Sequence, residues 1–344
     1  MQNSAIKKIG IVLLKTLPLI SFIIPMILLY MLFPASFETT WKGRTYYLLF
    51  LWIVMLEIIM NWDDLKEGTV FKKTPRTLVY VLALAAPTIY VTIANFGGLN
   101  TAILNLVEQY GMTSPWADWM PLSTEYLVFA ALFAIITVLG YGVKGLNVLL
   151  LSTAFLGVLG FVYTLDNFYP YGQFTPFQII VPTTATLAAG VLTMMGYNTY
   201  LTSSPQGMPV LYANTSTPPI HEWGAQIAWP CAGVDSLLIY TITVLLFLRK
   251  SAISWKAKLV YFIVGAAVTY SINIMRIVAI FVIGVSNGWP DAQAFHDFYG
   301  QMYSIIWIVT YPLIIIGTQA LWERFRGKEQ QQTATSMHSF TKSI

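Results

Sequence analysis

The only cysteine, Cys231, stands in Trp229-Pro230-Cys231-Ala232-Gly233 at the head of an apolar run. Arg276 lies inside the next apolar run, in Asn273-Ile274-Met275-Arg276-Ile277, and His296 precedes the last one, in Phe295-His296-Asp297. These three side-chain types suffice for acyl transfer through a thioester. A cysteine attacks as the thiolate, and a helix N-terminus together with a nearby cation lowers its pKa. Histidine can take the thiol proton and return one to a leaving amine. Arginine stays charged at any relevant pH, so it cannot serve as base, but it can hold a thiolate or a tetrahedral oxyanion. No cofactor and no metal is called for. A lone cysteine also excludes an internal disulfide and a metal site built on paired cysteines.

Two neighbours extend this set. Asp235, one turn beyond Cys231, could orient His296 or pair with Arg276, although a carboxylate there also raises a thiol pKa. Asn273, one turn before Arg276, could donate to an oxyanion or merely bridge helices. The plain readings are that a helical cysteine is packing, that Arg276 snorkels toward headgroups, and that His296 is a solvated loop residue. Against them stands the cost of an ionisable group in an apolar span, and the placing of all three at one membrane level.

The elements that must hold these residues are membrane helices. Of 344 residues 56% are hydrophobic and 10% charged, too little polar surface to cover a soluble globule. Apolar stretches run from Ile9 to Phe33, Tyr46 to Met60, Thr77 to Asn95, Thr124 to Gly140, Gly145 to Tyr163, Pro176 to Gly196, Ala232 to Leu248, Lys258 to Val285 and Gly300 to Trp322. The expected fold is therefore all-α, a polytopic transmembrane helix bundle of about eight spans and nine at most. The first stretch is too long for a signal-peptide core of ~7–15 residues and reads as an uncleaved span.

Positive charge orients the chain. Arg249, Lys250, Lys256 and Lys258 crowd one short loop, and Arg324, Arg326 and Lys328 follow the last stretch, so both are expected in the cytoplasm. The segment from Tyr197 to Pro230, free of Lys and Arg, then lies outside and is expected to form loops or a small hairpin before Cys231. Asn214-Thr215-Ser216 in it is a glycosylation sequon of little weight. Arg276, about nine residues from the outer end of its span, falls ~14 Å below it. In the front half Lys7 and Lys8, like Lys66, Lys72, Lys73 and Arg76, argue for the inside. Nine crossings cannot leave both termini there, so eight are expected, with Tyr46–Met60 as the re-entrant candidate. No basic, aromatic-interleaved stripe points to nucleic acid.

At these residues the sequence resembles the exosortase/archaeosortase family of membrane transpeptidases. Pro230-Cys231-Ala232-Gly233-Val234-Asp235-Ser236 is similar to the family's cysteine signature, with Ala where a Ser often follows the cysteine. Asn273-x-x-Arg276-Ile277 and His296-x-x-x-Gly300 follow in the family's order, and Gly207 to Val210 resembles its outer turn. The similarity covers Pro176 to Gly317, and its details look archaeal, of the thaumarchaeal type. The resemblance implies that Cys231 is the nucleophile, Arg276 a catalytic cation and His296 the third group. It implies as partners surface-protein precursors ending in a short motif, a hydrophobic span and a basic cluster, with a membrane lipid as acceptor.

The expected organisation is N-terminal helices over 1–175, a catalytic core over 176–322 and a polar cytoplasmic tail over 323–344, with the site on the extracytoplasmic side of the cell membrane. Two other classes compete. A transporter or channel would line a polar path with Arg276, Glu57 and Asp235, but no internal repeat supports it. A lipid-modifying enzyme would have no need of a cysteine aligned with Arg and His.

Overall fold

The computed structural model describes residues 2–39, 42–65, 74–170, 174–205, 207–215, 221–300 and 302–341. Lys66, Lys72, Lys73 and Ser216 lie outside them, and the side chains of Lys7, Lys8, Lys250, Arg326 and Lys328 are likewise outside the described set. In chain order the helices are α1 (Gln2–Leu32), α2 (Thr45–Met60), α3 (Thr74–Phe96), α4 (Leu99–Gln109), α5 (Met120–Val148), α6 (Leu150–Phe168), α7 (Thr175–Gln178) and α8 (Val181–Met194). Three strands follow, β1 (Tyr197–Ser203), β2 (Pro209–Thr215) and β3 (Glu222–Gln226), and then α9 (Val234–Lys250), α10 (Trp255–Asn287), α11 (Trp289–Ala294) and α12 (Met302–Thr341). Among the described residues seven helical stretches are long and apolar enough to cross a membrane, and α2 is a shorter apolar helix.

Polar contacts show which helix ends meet. At the end that carries Cys231, Lys42 ahead of α2 pairs with Asp166 near the close of α6 at 2.6 Å. There too the Arg44 guanidinium donates through Nε and Nη2 to the Glu125 carboxylate on α5, at 2.8 and 2.9 Å. At the opposite end the Lys15 ammonium donates to the Trp62 carbonyl, and Tyr141 donates to the Leu14 carbonyl at 3.0 Å. Glu57, near the close of α2, accepts from the Ser152 amide and hydroxyl at 2.9 and 2.7 Å. That carboxylate caps the start of α6, where helix amides have no partner of their own. Glu57 is therefore a structural cap about 17 Å along α2 from Tyr46.

These contacts place the start of α2 beside the close of α6 at one end of the bundle, and the close of α2 beside the start of α6 at the other. Pro176–Met194 is one of the seven stretches long and apolar enough to cross a membrane, whereas Thr45–Met60, the re-entrant candidate, is the shorter helix. Within Pro176–Met194, α8 packs on both the sheet and α10: the Thr193 and Thr199 hydroxyls meet at 2.8 Å, and the Thr184 and Tyr270 hydroxyls at 2.8 Å. Val181, Thr184, Ala185, Ala188 and Leu192 form its buried stripe.

The segment expected as loops or a small hairpin is a three-stranded antiparallel sheet in the order β1-β2-β3. Its register pairs Leu201 with Leu211 and Leu211 with Ala225, which sets Leu211 on the buried face. Tyr200 and Tyr212 stack on the other face with centroids 4.7 Å apart. Trp223 docks the sheet on the last turns of α10, edge-on to Phe281 at 4.7 Å, and lies 5.9 Å from Trp289. The sheet and the close of α10 thus form a cap on the Cys231 end of the bundle. From Trp255 to Arg276 the axis of α10 rises ~32 Å, about the thickness of a bilayer's hydrocarbon core.

The buried Arg44–Glu125 pair yields a stability prediction. Glu125→Ala leaves a guanidinium without its carboxylate among apolar helices, and we expect a loss of ~3–5 kcal/mol. The thermal unfolding midpoint of detergent-solubilised protein measures it, and an unchanged midpoint would contradict the assignment.

Candidate active site

Cys231 occupies a tight turn between β3 and α9. The Ala232 amide donates to the Ala228 carbonyl at 2.9 Å and Leu237 to Gly233 at 2.9 Å, so the chain coils once before α9 begins. Gly233 closes the turn at φ +89°, a left-handed conformation that a side chain would strain. A Cβ there would also sit 2.5 Å from Cγ of Asn273, so the glycine brings this turn against α10. Asn273, fully buried, donates through Nδ2 to the Cys231 carbonyl at 3.1 Å and fixes the turn to that helix. Behind it the Trp229 indole is fully buried against Phe177, with ring centroids 5.0 Å apart.

His296 and Asp297 lie in a π-turn, Phe295–Tyr299, that links α11 to α12. The Gly300 amide donates five residues back to the Phe295 carbonyl at 2.7 Å. Such wide turns gather at functional sites because they re-aim side chains that a regular helix would direct elsewhere. Here His296 presents Nε2 to the Cys231 sulfur at 3.5 Å, while Nδ1 lies 2.9 Å from Oδ1 of Asp297. With the Nδ1 proton donated to that carboxylate, Nε2 is left to accept from the thiol. Gln293 in turn donates Nε2 to both Asp297 oxygens at 2.9 Å. Thiol, imidazole and carboxylate thus stand in one line, the geometry that lets an imidazole take a proton while a carboxylate holds its tautomer.

Arg276 completes the cluster. It is 3% exposed, and its Nε and Nη1 have no hydrogen-bond partner among the described residues. Gly300 makes room for it, since a Cβ at that position would lie 2.6 Å from Arg276 Nε. Cys231 lies outside the spanning helices and its pKa is lowered from the ordinary thiol value. Burial opposes ionisation, but the His296 hydrogen bond and the His296 and Arg276 charges outweigh it. The structure therefore brings Cys231, His296, Arg276 and Asn273 together at the junction of bundle and cap.

Asp235 is placed differently from one of its two expected roles. It is 3% exposed in the first turn of α9, and the His296 Nδ1 position it was weighed for is taken by Asp297. Tyr46 of α2, 3% exposed, lies within the electrostatic reach of both Arg276 and Asp235. Asp297 is the site residue that sequence reasoning missed, since it reads as one more acid in an interfacial loop. For Asp297 the signal was its position directly beside the histidine.

A family model described as transmembrane exosortase (Exosortase_EpsH) matches residues 41–312. The chain belongs to the transmembrane exosortase family. Exosortases are membrane transpeptidases that act on the C-terminal sorting signals of secreted proteins. The match begins well ahead of Pro176, where the legible motifs start, and takes in α2 with Tyr46. No curated protein and no solved structure matches the chain.

Two variants probe this geometry. His296→Ala removes the groups that favour the thiolate, so the pH midpoint for Cys231 alkylation by iodoacetamide should rise, with ~10-fold slower labelling near neutrality for each pH unit. A midpoint that stays put would separate the two side chains. Gly300→Ala should displace the Arg276 guanidinium and lower turnover at least ~10-fold without unfolding the protein, and wild-type turnover in that variant would count against the close approach.

Proposed function

We propose that this exosortase-family protein is an archaeosortase-like cysteine transpeptidase that cuts sorting signals of surface-protein precursors and passes the new C-terminus to an acceptor. The observation that carries the reading is the line from the Cys231 sulfur through His296 to Asp297, beside a buried Arg276 whose Nε and Nη1 face no protein acceptor among the described residues. Cys231 gives its proton to His296 Nε2 and attacks the scissile carbonyl carbon. The carbonyl oxygen becomes an oxyanion that Arg276 stabilises. Collapse of the tetrahedral intermediate expels the amine of the downstream segment, which takes the proton from His296, and leaves an acyl thioester on Cys231. The acceptor's hydroxyl or amine then gives a proton to His296, attacks the thioester and releases the Cys231 sulfur.

Asp297 holds the imidazole tautomer, Asn273 fixes the cysteine turn, and Asp235 with Tyr46 packs about the Arg276 charge. Residues 176–322 supply the reacting groups, 1–175 wall the site, and 323–344 form a polar cytoplasmic tail. The positive residues Arg249, Lys256, Lys258 and Arg324 favour the cytoplasm at the end opposite Cys231, so the reaction runs at the extracytoplasmic surface. The substrates are precursors with a short motif, an apolar span and a basic cluster. The acceptor is a membrane lipid, as in the archaeal branch that the motifs resemble.

Cys231→Ala or Cys231→Ser should leave surface proteins with apolar C-terminal tails at precursor size. Immunoblotting of membrane fractions reads this directly, and normal maturation in both variants would sink the proposal.

A further inference from the structure

Below the reacting groups a groove runs down the bundle between α2 and α12. Helix α2 packs on α1 and α6, and α12 packs on α9 and α10, leaving α6 and α9 as the groove floor. Leu49, Phe155, Phe247, Ile308, Leu313 and Ile316 line it. A second hollow continues it past Met60, Asn61 and Ser251 to the end opposite Cys231. Polar groups among the lining residues are few, and one of them, Glu57, is engaged in capping α6.

The elements that shape the groove also carry the site. Tyr46 heads α2 and packs against Phe155 with ring centroids 6.1 Å apart, Cys231 and Asp235 head α9, and His296 and Gly300 immediately precede α12. The groove therefore runs along the helices whose outer ends carry the cluster, its lining on α9 beginning at Thr243, ~14 Å along that helix from Val234. We infer that it is the docking site for the apolar helix of the peptide substrate, held parallel to α9 with its N-terminal end at Cys231. This rests on the acyl-transfer reading, which requires a peptide at the top of the groove. A peptide in a groove open to hydrocarbon must satisfy its own backbone hydrogen bonds, so its lower part is a helix. Apolar walls suit such a helix, whose packing against its neighbours is driven by close van der Waals contact. The scissile bond then lies where that helix unwinds, at the cap boundary, and the groove fixes how deep the substrate sits.

Photo-crosslinking tests the assignment in full-length Cys231→Ala protein reconstituted in liposomes. Benzoylphenylalanine replaces Met60 on one wall, Leu313 on the other, or Ile263 on the outward face of α10, residues that are 62%, 55% and 57% exposed. The probe is an epitope-tagged single-span peptide with about twenty Leu and Ala residues. Labelling of the probe from Met60 and Leu313 should exceed that from Ile263 by about tenfold. Ile316→Trp, a change at a half-exposed wall position that the fold tolerates, should reduce it to the Ile263 level. Equal labelling from all three positions, labelling of lipid alone, or labelling of a second copy of the protein would overturn the groove as the helix site. The nucleophile is judged by precursor accumulation in cells carrying Cys231→Ala. Accumulation with uniform probe labelling sinks the groove alone, whereas normal maturation removes the reason for a peptide occupant.

Discussion

A guanidinium held at the edge of a hydrocarbon slab is the constraint on which the rest of this structure depends. Arg276 cannot shed its charge, and at 3% exposure it has little water to share it with. Its neighbours are arranged to tolerate that charge. Gly300 gives it space, Asp235 and Tyr46 lie within its electrostatic reach, and the cysteine turn stands next to it. The Arg276 Nε and Nη1 have no hydrogen-bond partner among the described residues, so two donors remain for an anion.

The depth of that charge follows from helix lengths. The part of α10 below Arg276 matches a hydrocarbon core, and the sheet docks on its turns above that residue. Cys231 comes from the cap side of this boundary and Arg276 from the bundle side. Asn273 joins the two, through its bond to the Cys231 carbonyl and its contact with Gly233. The π-turn brings His296 in from the third direction, with Gln293 and Asp297 fixing the ring. Each reacting group thus sits on a different element, and the rigid junction of bundle and cap holds them in register.

Much of this was legible in the sequence because membrane solvent makes polar residues conspicuous. A lone cysteine, an arginine in mid-span and a histidine before the last span stood out against 56% hydrophobic composition. The helical bundle followed from the same contrast. What stayed hidden depends on tertiary contact. Asp297 is half-solvated, and only the π-turn shows that it meets Nδ1 of the adjacent His296. By residue type Gly300 reads as an ordinary helix glycine, and only the folded chain shows that a Cβ there would meet Arg276 Nε. The apolar stretch of α8 has the length and hydropathy of a span, and it packs on the sheet as well as on α10. Its amphipathic stripe, Val181 to Leu192, does not reveal which partner it faces.

The central claim is covalent: the acyl group of the substrate passes through the Cys231 sulfur. Purified protein mixed with a sorting-signal peptide, acid-quenched within the first turnover and analysed by peptide mass spectrometry tests it most directly. The account predicts an acyl adduct on Cys231 that neutral hydroxylamine removes and that Arg276→Gln diminishes. Cleavage of the peptide with no adduct on Cys231, or with an adduct on another residue, would contradict it.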